Sequence, residues 1–319
     1  MGSSWFHYNK AKNVLTETLL NEGENIVSKN GSIITNWLEN IESNLNVIAN
    51  SDIILEMSKS SQKNILRDML KQQKGVISYF IADRQGNNTR AALDTTSGAS
   101  ENISNENYFK EAVNNKEMVI SKPFRDKSTD SLVVAMAVPT FSGDNNVTGI
   151  TGANIKLNYL QKIIKDMNIN GNGKGWIIDN NKVVIAHPDD KFLGNKKLFE
   201  NNKELNSLAN KLTEGITGST YYKTGDNKNI LTYAPVSFTG WSIAIKVKNK
   251  DMLSPLDVIK YGSVWVVLIS VFLGLITTYF IAINMIKPIV NINTIAQKIA
   301  DGDLTADNSS LDRKTNRKN

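Results

Sequence analysis

The chain contains no cysteine, which excludes a disulfide scaffold, a thiolate metal site and a cysteine nucleophile. Histidine is almost as scarce, with only two in 319 residues. His187 sits beside acids in His187-Pro188-Asp189-Asp190, but one histidine in a turn reads as a loop rather than a metal centre. There is no nucleophile elbow and no glycine-rich phosphate loop. The expectation is a protein that is not an enzyme and carries no cofactor and no metal. The net charge is +6, yet no run of five basic residues occurs. Lysines scattered among asparagines describe a solvated surface, not a nucleic-acid footprint. The opening MGSSWFHYNKAKNVL lacks an apolar run long enough for a signal peptide or a span. If the domain is exported, the expectation is a start further upstream or an excised piece.

Against these absences stands enough apolar material, 40% of residues, for a packed core in one large domain or two ordinary ones. From Tyr261 to Ile286 no residue is charged, and Lys260 and Lys287 bracket the run. A bilayer-spanning helix needs roughly 20 apolar residues, so 261–286 is expected to be a transmembrane helix. Trp265 and Tyr279 lie toward its two ends, where amphipathic rings favour the interface. Lys246, Lys248, Lys250 and Lys260 precede the run while Lys287 and Lys298 follow it, so charge does not orient it.

Near the N-terminus Leu20, Val27, Ile34, Ile41 and Ile48 recur every seven residues, with Leu38 and Leu45 extending the stripe and Trp37 beside it. Seven-residue spacing with polar residues between predicts a long amphipathic helix with one buried seam. Gly23 and Gly31 weaken it locally. Residues 1–50 therefore read as a stalk helix, either transmitting motion along its axis or simply packing on a domain. From Gly75 the pattern turns to strands. VISYFIADRQGNNTRAAL is strand, turn, strand, a short helix covers Asn107–Val113, and SLVVAMAVPTF and VTGITGANIKL are two further strands. A helix over Tyr159–Met167 connects to a second, briefer set. KGWIIDNNKVVIAH is strand, turn, strand, Lys203–Thr213 is helical, and two closing hairpins follow. Ala137-Val138-Pro139 and Ala234-Pro235-Val236 hint at an internal repeat.

A long helix, two αβ modules, a span and a short linker resemble the plan of double-Cache chemoreceptors. The residues carrying the likeness are ISNENYFKEAVNNKEMVISKPF, SLVVAMAVPTFSGDNNVTGITGANIKL, GWIIDNNKVVIAHPDD and TYAPVSFTGWSIAI. After the span, IKPIVNINTIAQKIADGDLT is similar to the first half of a HAMP linker, through Pro288 and Gly302-Asp303-Leu304-Thr305. The resemblance implies an α+β fold with two tandem PAS-like modules: 51–165, membrane-distal, and 166–255, membrane-proximal. The span, a partial HAMP linker at 287–307 and a tail at 308–319 follow. It implies the extracytoplasmic small-molecule sensing region of a bacterial transmembrane chemoreceptor, held in the cell membrane as a homodimer. Alternatives are the sensor of a histidine kinase or diguanylate cyclase, or a membrane-anchored binding protein without output.

In amino-acid-binding relatives an Arg-x-Trp-Tyr run and a later aspartate clamp the ligand. Here the matching run is Glu106-Asn107-Tyr108-Phe109, and Asn154 stands at the aspartate. Both charged anchors differ. A carboxylate at position 106 opposes a ligand carboxylate, and an asparagine offers no charge to an ammonium. The expected ligand is therefore a neutral or cationic small molecule with a planar or apolar body rather than an ordinary α-amino acid. Tyr108, Phe109 and Phe124 are candidates to hold that body, and Asp126 or Asn154 to orient it. Arg90 either faces the pocket or lies in solvent. A compensating residue such as Arg90 or Arg125 is a route by which a carboxylate is still accepted.

Overall fold

A computed structural model describes residues 2–93, 102–142 and 146–301. They fall into two units, Asn9–Ser254 and, separately, Met1–Tyr8 with Pro255–Asn319.

The larger unit is organised on α1 (Gly2–Ala49), which starts earlier than the stripe alone suggests. Val27, Ile34, Leu38, Ile41, Leu45 and Ile48 are fully buried, each worth about 1.5–3 kcal/mol of transfer free energy before ordering entropy is set against it. Their neighbours are the chain's own sheets, so this seam is satisfied internally and offers no face to a partner helix. Gly23 and Gly31 mark the closest crossings. A Cβ on Gly31 would lie 2.7 Å from the Pro235 carbonyl oxygen, and one on Gly23 would lie 2.7 Å from Ile169 Cδ1. The glycines that weaken the helix by propensity are the ones that let it lie against the second sheet.

Two helices follow that periodicity did not announce, α2 (Asp52–Glu56) and α3 (Lys59–Gln72). Ser51 and Ser58 cap them by accepting from the backbone N–H three residues on. The first module then runs β1 (Val76–Asp83), β2 (Asn88–Ala92), α4 (Asn107–Asn115), β3 (Val119–Ile120), β4 (Phe124–Arg125), β5 (Leu132–Phe141), β6 (Val147–Lys156) and α5 (Leu157–Lys165). Its sheet is antiparallel in the order β2-β1-β6-β5-β3, with β4 also on β5. The second module runs β7 (Lys174–Ile178), β8 (Val184–Ala186), a 3₁₀ turn, α6 (Lys197–Glu200), α7 (Lys203–Leu212), β9 (Gly218–Thr224), β10 (Asn227–Val236), β11 (Trp241–Lys248) and α8 (Asn249–Met252). Its order, β8-β7-β11-β10-β9, repeats the first. The two similar tripeptides fall on equivalent strands, β5 and β10.

Because side chains alternate across a strand, each sheet buries both faces. In the first, Tyr79, Ile81, Val134, Met136 and Ile155 face α1, while Phe80, Ala135, Ala137 and Ile150 face α4. In the second, Ile177, Ile243 and Ile245 join the α1 core. Trp176, Ala244, Leu231 and Tyr233 pack with Phe199, Leu205 and Leu212.

The smaller unit contains α9 (Pro255–Ile281), a π-helical turn (Ala282–Ile286) and α10 (Lys287–Ala300). Within it Val264–Asn284 is long and apolar enough to cross a membrane, with its side chains exposed. The π turn ends two residues before Pro288, and proline has no backbone N–H to give the carbonyl one turn back. The HAMP-like tetrapeptide from Gly302 and the tail at 308–319 lie outside the described residues, as do 143–145 within the turn expected at 142–146.

Candidate functional site

The α4-facing side of the first sheet is where polar groups enter an otherwise apolar interior. Register sets which ones. Ser78 pairs with Asn154 across β1 and β6, and Phe80 pairs with Arg90 across β1 and β2. Asn154 in turn pairs with Ala135. Small residues open space beside them. A Cβ on Gly152 would come within 2.3 Å of the Phe80 ring, so only glycine lets that ring lie across β6.

Over this face β4 ends at Arg125, and the chain turns back at Asp126. Asp126 is only 2% exposed, and its carboxylate gathers five donors. Arg90 Nη2 at 2.6 Å and Asn154 Nδ2 at 3.1 Å donate to Oδ1. The Ser128 hydroxyl at 2.7 Å, the Thr129 hydroxyl at 2.8 Å and the Thr129 N–H at 3.1 Å donate to Oδ2. Burial pushes this carboxyl's pKa up, but the Ser128 hydrogen bond, the Arg90 charge and the Thr129 hydrogen bond together outweigh it, so the net shift is downward. Arg90 and Asp126 form an ion pair with side chains 17% and 3% exposed. The loop 126–131 is thereby fastened to two strands, β2 and β6.

Two buried polar atoms at this network have no hydrogen-bond partner: Arg90 Nε and Asn154 Oδ1. Ser78 Oγ, opposite Asn154, is a third. Unpaired buried polar atoms are uncommon in folded proteins, and each costs about 1–3 kcal/mol if nothing answers it.

These residues border a cavity of about 50 Å³ lined by Phe80, Asn88, Arg90, Ile103, Glu106, Tyr108, Phe124, Arg125, Asp126, Lys127 and Asn154. Five of the six candidates thus meet in one place: Arg90, Tyr108, Phe124, Asp126 and Asn154. Phe109 does not line it. It packs into the core between α4 and the sheet, because on a helix the residue next to a pocket-facing one points about 100° away. Arg90 faces the cavity and is tied to Asp126, while Arg125, also on the rim, pairs with the exposed Asp130 at 3.4 Å. Phe80, Asn88 and Ile103 belong to the lining without having been selected as candidates, and Glu106, read as the departure from the clamp, lines it too. For Phe80 the available signal was the period-2 pattern of β1.

Beyond the cavity lies a cleft of about 800 Å³ between the modules. Glu106, Tyr108 and Phe124 line both spaces. The Tyr108 and Phe124 rings stack, with centroids 5.8 Å apart at 19°. The far wall comes from the second module: the turn Asp179-Asn180-Asn181, and Phe238, Thr239 and Trp241. The second module's own interior is filled instead, with Trp176 edge-on to Phe199 at 5.9 Å. His187 accepts the Asp189 N–H at Nδ1 and makes no metal-type cluster; none exists among the described residues.

A sheet held between a long helix and small crossing helices, twice over, defines a tandem two-module fold. The sequence profile of the Cache domain matches residues 8–256, and the chain belongs to the Cache domain family. It is 24% identical over 261 residues to the methyl-accepting chemotaxis protein TlpA of Bacillus subtilis, covering 81% of this chain and 37% of that protein. Among solved structures it resembles the ligand-binding domain of the Pseudomonas aeruginosa chemoreceptor PctB in complex with L-Arg. That match has a TM-score of 0.59 and 18% identity, covering 74% of this chain and 97% of that one. It also resembles that of the Pseudomonas fluorescens chemoreceptor CtaA in complex with L-leucine, with a TM-score of 0.61 and 15% identity, covering 76% and 99%. Likeness at such identity is likeness of fold. The chain spans less than half the length of the curated relatives it matches.

Proposed function

We propose that this chain is the extracytoplasmic sensing region of a methyl-accepting chemotaxis receptor. It binds a small molecule in the first module, performs no chemistry, and passes the bound state through the helix at 264–284 to a HAMP-type linker beginning at Lys287. The supporting observation is the cleft of about 800 Å³ walled by Tyr108 and Phe124 of the first module and by Phe238 and Trp241 of the second, in a chain that belongs to the Cache domain family. A concave site lined by aromatic rings, with a few polar groups converging on it, suits a small molecule.

The ligand is not an ordinary α-amino acid. A zwitterion needs a free cation for its carboxylate and a free anion for its ammonium. Here the Arg90 charge is spent on Asp126, the Asp126 carboxylate already accepts five donors, and Glu106 at the mouth opposes a ligand carboxylate. The receptor is a homodimer whose contacts lie in the span and α10, where Ile289, Val290 and Ile292 are exposed; the α1 seam, being buried against its own sheets, contributes none. The sensing region faces away from the cytoplasm, and α10 continues inward.

The test is a chimera. The chain is joined after Ala300 to the signalling half of a Bacillus chemoreceptor and expressed in a strain lacking its own receptors. Capillary assays against single metabolites are expected to give a response to at least one small molecule, abolished by Asn154→Ala. A chimera that restores kinase activation yet responds to no compound that binds the purified chain would overturn the proposal.

A further inference from the structure

The cleft between the modules sets the charge of what enters it; this deepens the sensing proposal and rests on it. We infer that the ligand is a cation, an amine or related ammonium compound with an apolar body, whose charged end is held by Asp179 of the second module while its body lies against Tyr108 and Phe124 of the first.

Asp179 opens the turn after β7, and the turn uses only one of its carboxylate oxygens. Oδ1 accepts the Asn181 N–H at 2.8 Å and the Val183 N–H at 2.7 Å. Oδ2 accepts no hydrogen bond among the described residues, and it is not one of the polar atoms sealed from solvent. The residue is 8% exposed and lines the cleft, so the cleft is what the spare oxygen opens onto. Burial pushes this carboxyl's pKa up. The two backbone N–H groups and the charges of Lys196 and Lys122 pull it back without overcoming burial, so the net shift is upward. A turn of this kind asks for an acceptor oxygen, which asparagine supplies without a buried charge. The turn therefore accounts for the first oxygen and not for the charge.

The rest of the cleft has the same sign. Its charged lining residues are Glu106, Glu111 and Asp179 against Lys122 alone. A cleft lined by an excess of one sign focuses the field and concentrates the opposite ion. Its aromatic walls add to this. The Tyr108 and Phe124 rings stack on one side, Phe238 and Trp241 stand on the other, and ring faces attract a cation. An anionic ligand would meet three carboxylates with one lysine. A neutral ligand would leave the Asp179 charge uncompensated. A cation answers that charge and keeps its apolar part on the rings. About 800 Å³ has room for a whole small molecule, and a ligand reaching from Tyr108 to Asp179 touches both modules at once.

Three probes with one body separate the charges: phenethylamine, phenethyl alcohol and hydrocinnamate, titrated into the purified full chain in detergent and followed by calorimetry and thermal shift. Phenethylamine is expected to bind at least tenfold more tightly than the alcohol or the carboxylate. Asp179→Asn keeps an oxygen for the Asn181 and Val183 N–H groups. It is expected to leave the ligand-free melting temperature unchanged or higher, and to weaken phenethylamine at least tenfold while the alcohol binds as before. A residue that only shapes the turn would lower the melting temperature and treat all three probes alike. Should Asp179→Asn fail to fold, Glu106→Gln with Glu111→Gln on the opposite wall decides the matter: phenethylamine alone is expected to weaken, and unchanged binding overturns the assignment. The alcohol or the carboxylate binding as tightly as phenethylamine overturns it as well, as does undiminished phenethylamine binding in Asp179→Asn. If no probe binds but a metabolite library yields a ligand, a cation weakened in Asp179→Asn upholds the assignment. A neutral or anionic ligand overturns it and leaves the sensing proposal standing. If the library yields none, both fail.

Discussion

Replacing Asp126 by alanine leaves the Arg90 guanidinium part-buried without its anion and removes the acceptor for Asn154, Ser128 and Thr129. Breaking a buried ion pair from one side costs about 3–5 kcal/mol. Arg90 retains 17% of its side-chain exposure, so water recovers part of this and the expected loss is about 2–4 kcal/mol. For a unit of this size that lowers the melting temperature by roughly 5–15 °C. Tryptophan fluorescence follows it directly, since Trp176 and Trp241 are buried. The double variant Arg90→Met with Asp126→Ala removes both charges and is expected to recover at least half of the loss, the non-additivity that marks a direct pair. The pH dependence carries a definite sign. The folded carboxyl titrates below its ordinary value of 3.8, so its contribution is fully present above the unfolded pKa. It is lost as pH falls through the folded one. The stability gap between the native chain and Asp126→Ala is therefore expected to stay constant from pH 8 to pH 5 and to close only in strong acid. A loss under about 0.5 kcal/mol, of the size seen at ordinary surface sites, or strict additivity with Arg90→Met, would refute the fastened loop.

Tyr108→Ala removes one face of the Tyr108–Phe124 stack and is expected to weaken ligand binding by about 1–3 kcal/mol, read by calorimetry, while unfolding stays cooperative. Gly31→Ala forces a methyl group to within 2.7 Å of the Pro235 carbonyl. Despite alanine's better helix propensity, it is expected to lower stability by about 1–3 kcal/mol, measured by denaturant unfolding; a gain would mean that the helix does not lie against β10. A cysteine at Val290 is expected to crosslink between protomers in membranes, whereas one at Ile34, buried against the chain's own sheets, is not. Crosslinking at Ile34 alone would reverse the assignment of the dimer contact.

Much of this architecture is written locally. The stripe from Val27 to Ile48 and the charge-free run before Lys287 are short-range periodicities that need no tertiary knowledge. The strand pairs around Gly86 and Asn180 announce themselves by turn chemistry. What the stripe does not say is its partner. Seven-residue spacing suits another helix as well as a sheet, and the sheets claimed it, with Gly31 as the unread sign of a close crossing. Helices α2 and α3 were missed because α2 has only five residues and α3 is mostly polar; the serines at 51 and 58 were the available signal. The site was half legible. Tyr108 and Asn154 follow from the family resemblance, but the tie between Arg90 and Asp126 joins residues 36 apart. It depends on β1 lying between β2 and β6, an order that no local pattern encodes.

The account rests most heavily on a small molecule binding in the first module beside Tyr108 and Asn154. Calorimetric titration of the purified full chain and of Asn154→Ala, side by side, against a metabolite library tests this directly. The native chain is expected to bind a small molecule other than an ordinary α-amino acid, with stabilisation of about 2.7 kcal/mol at a hundredfold excess over its dissociation constant, and the variant to bind it at least tenfold more weakly. Micromolar binding of an unmodified α-amino acid, undiminished in Asn154→Ala, would contradict it.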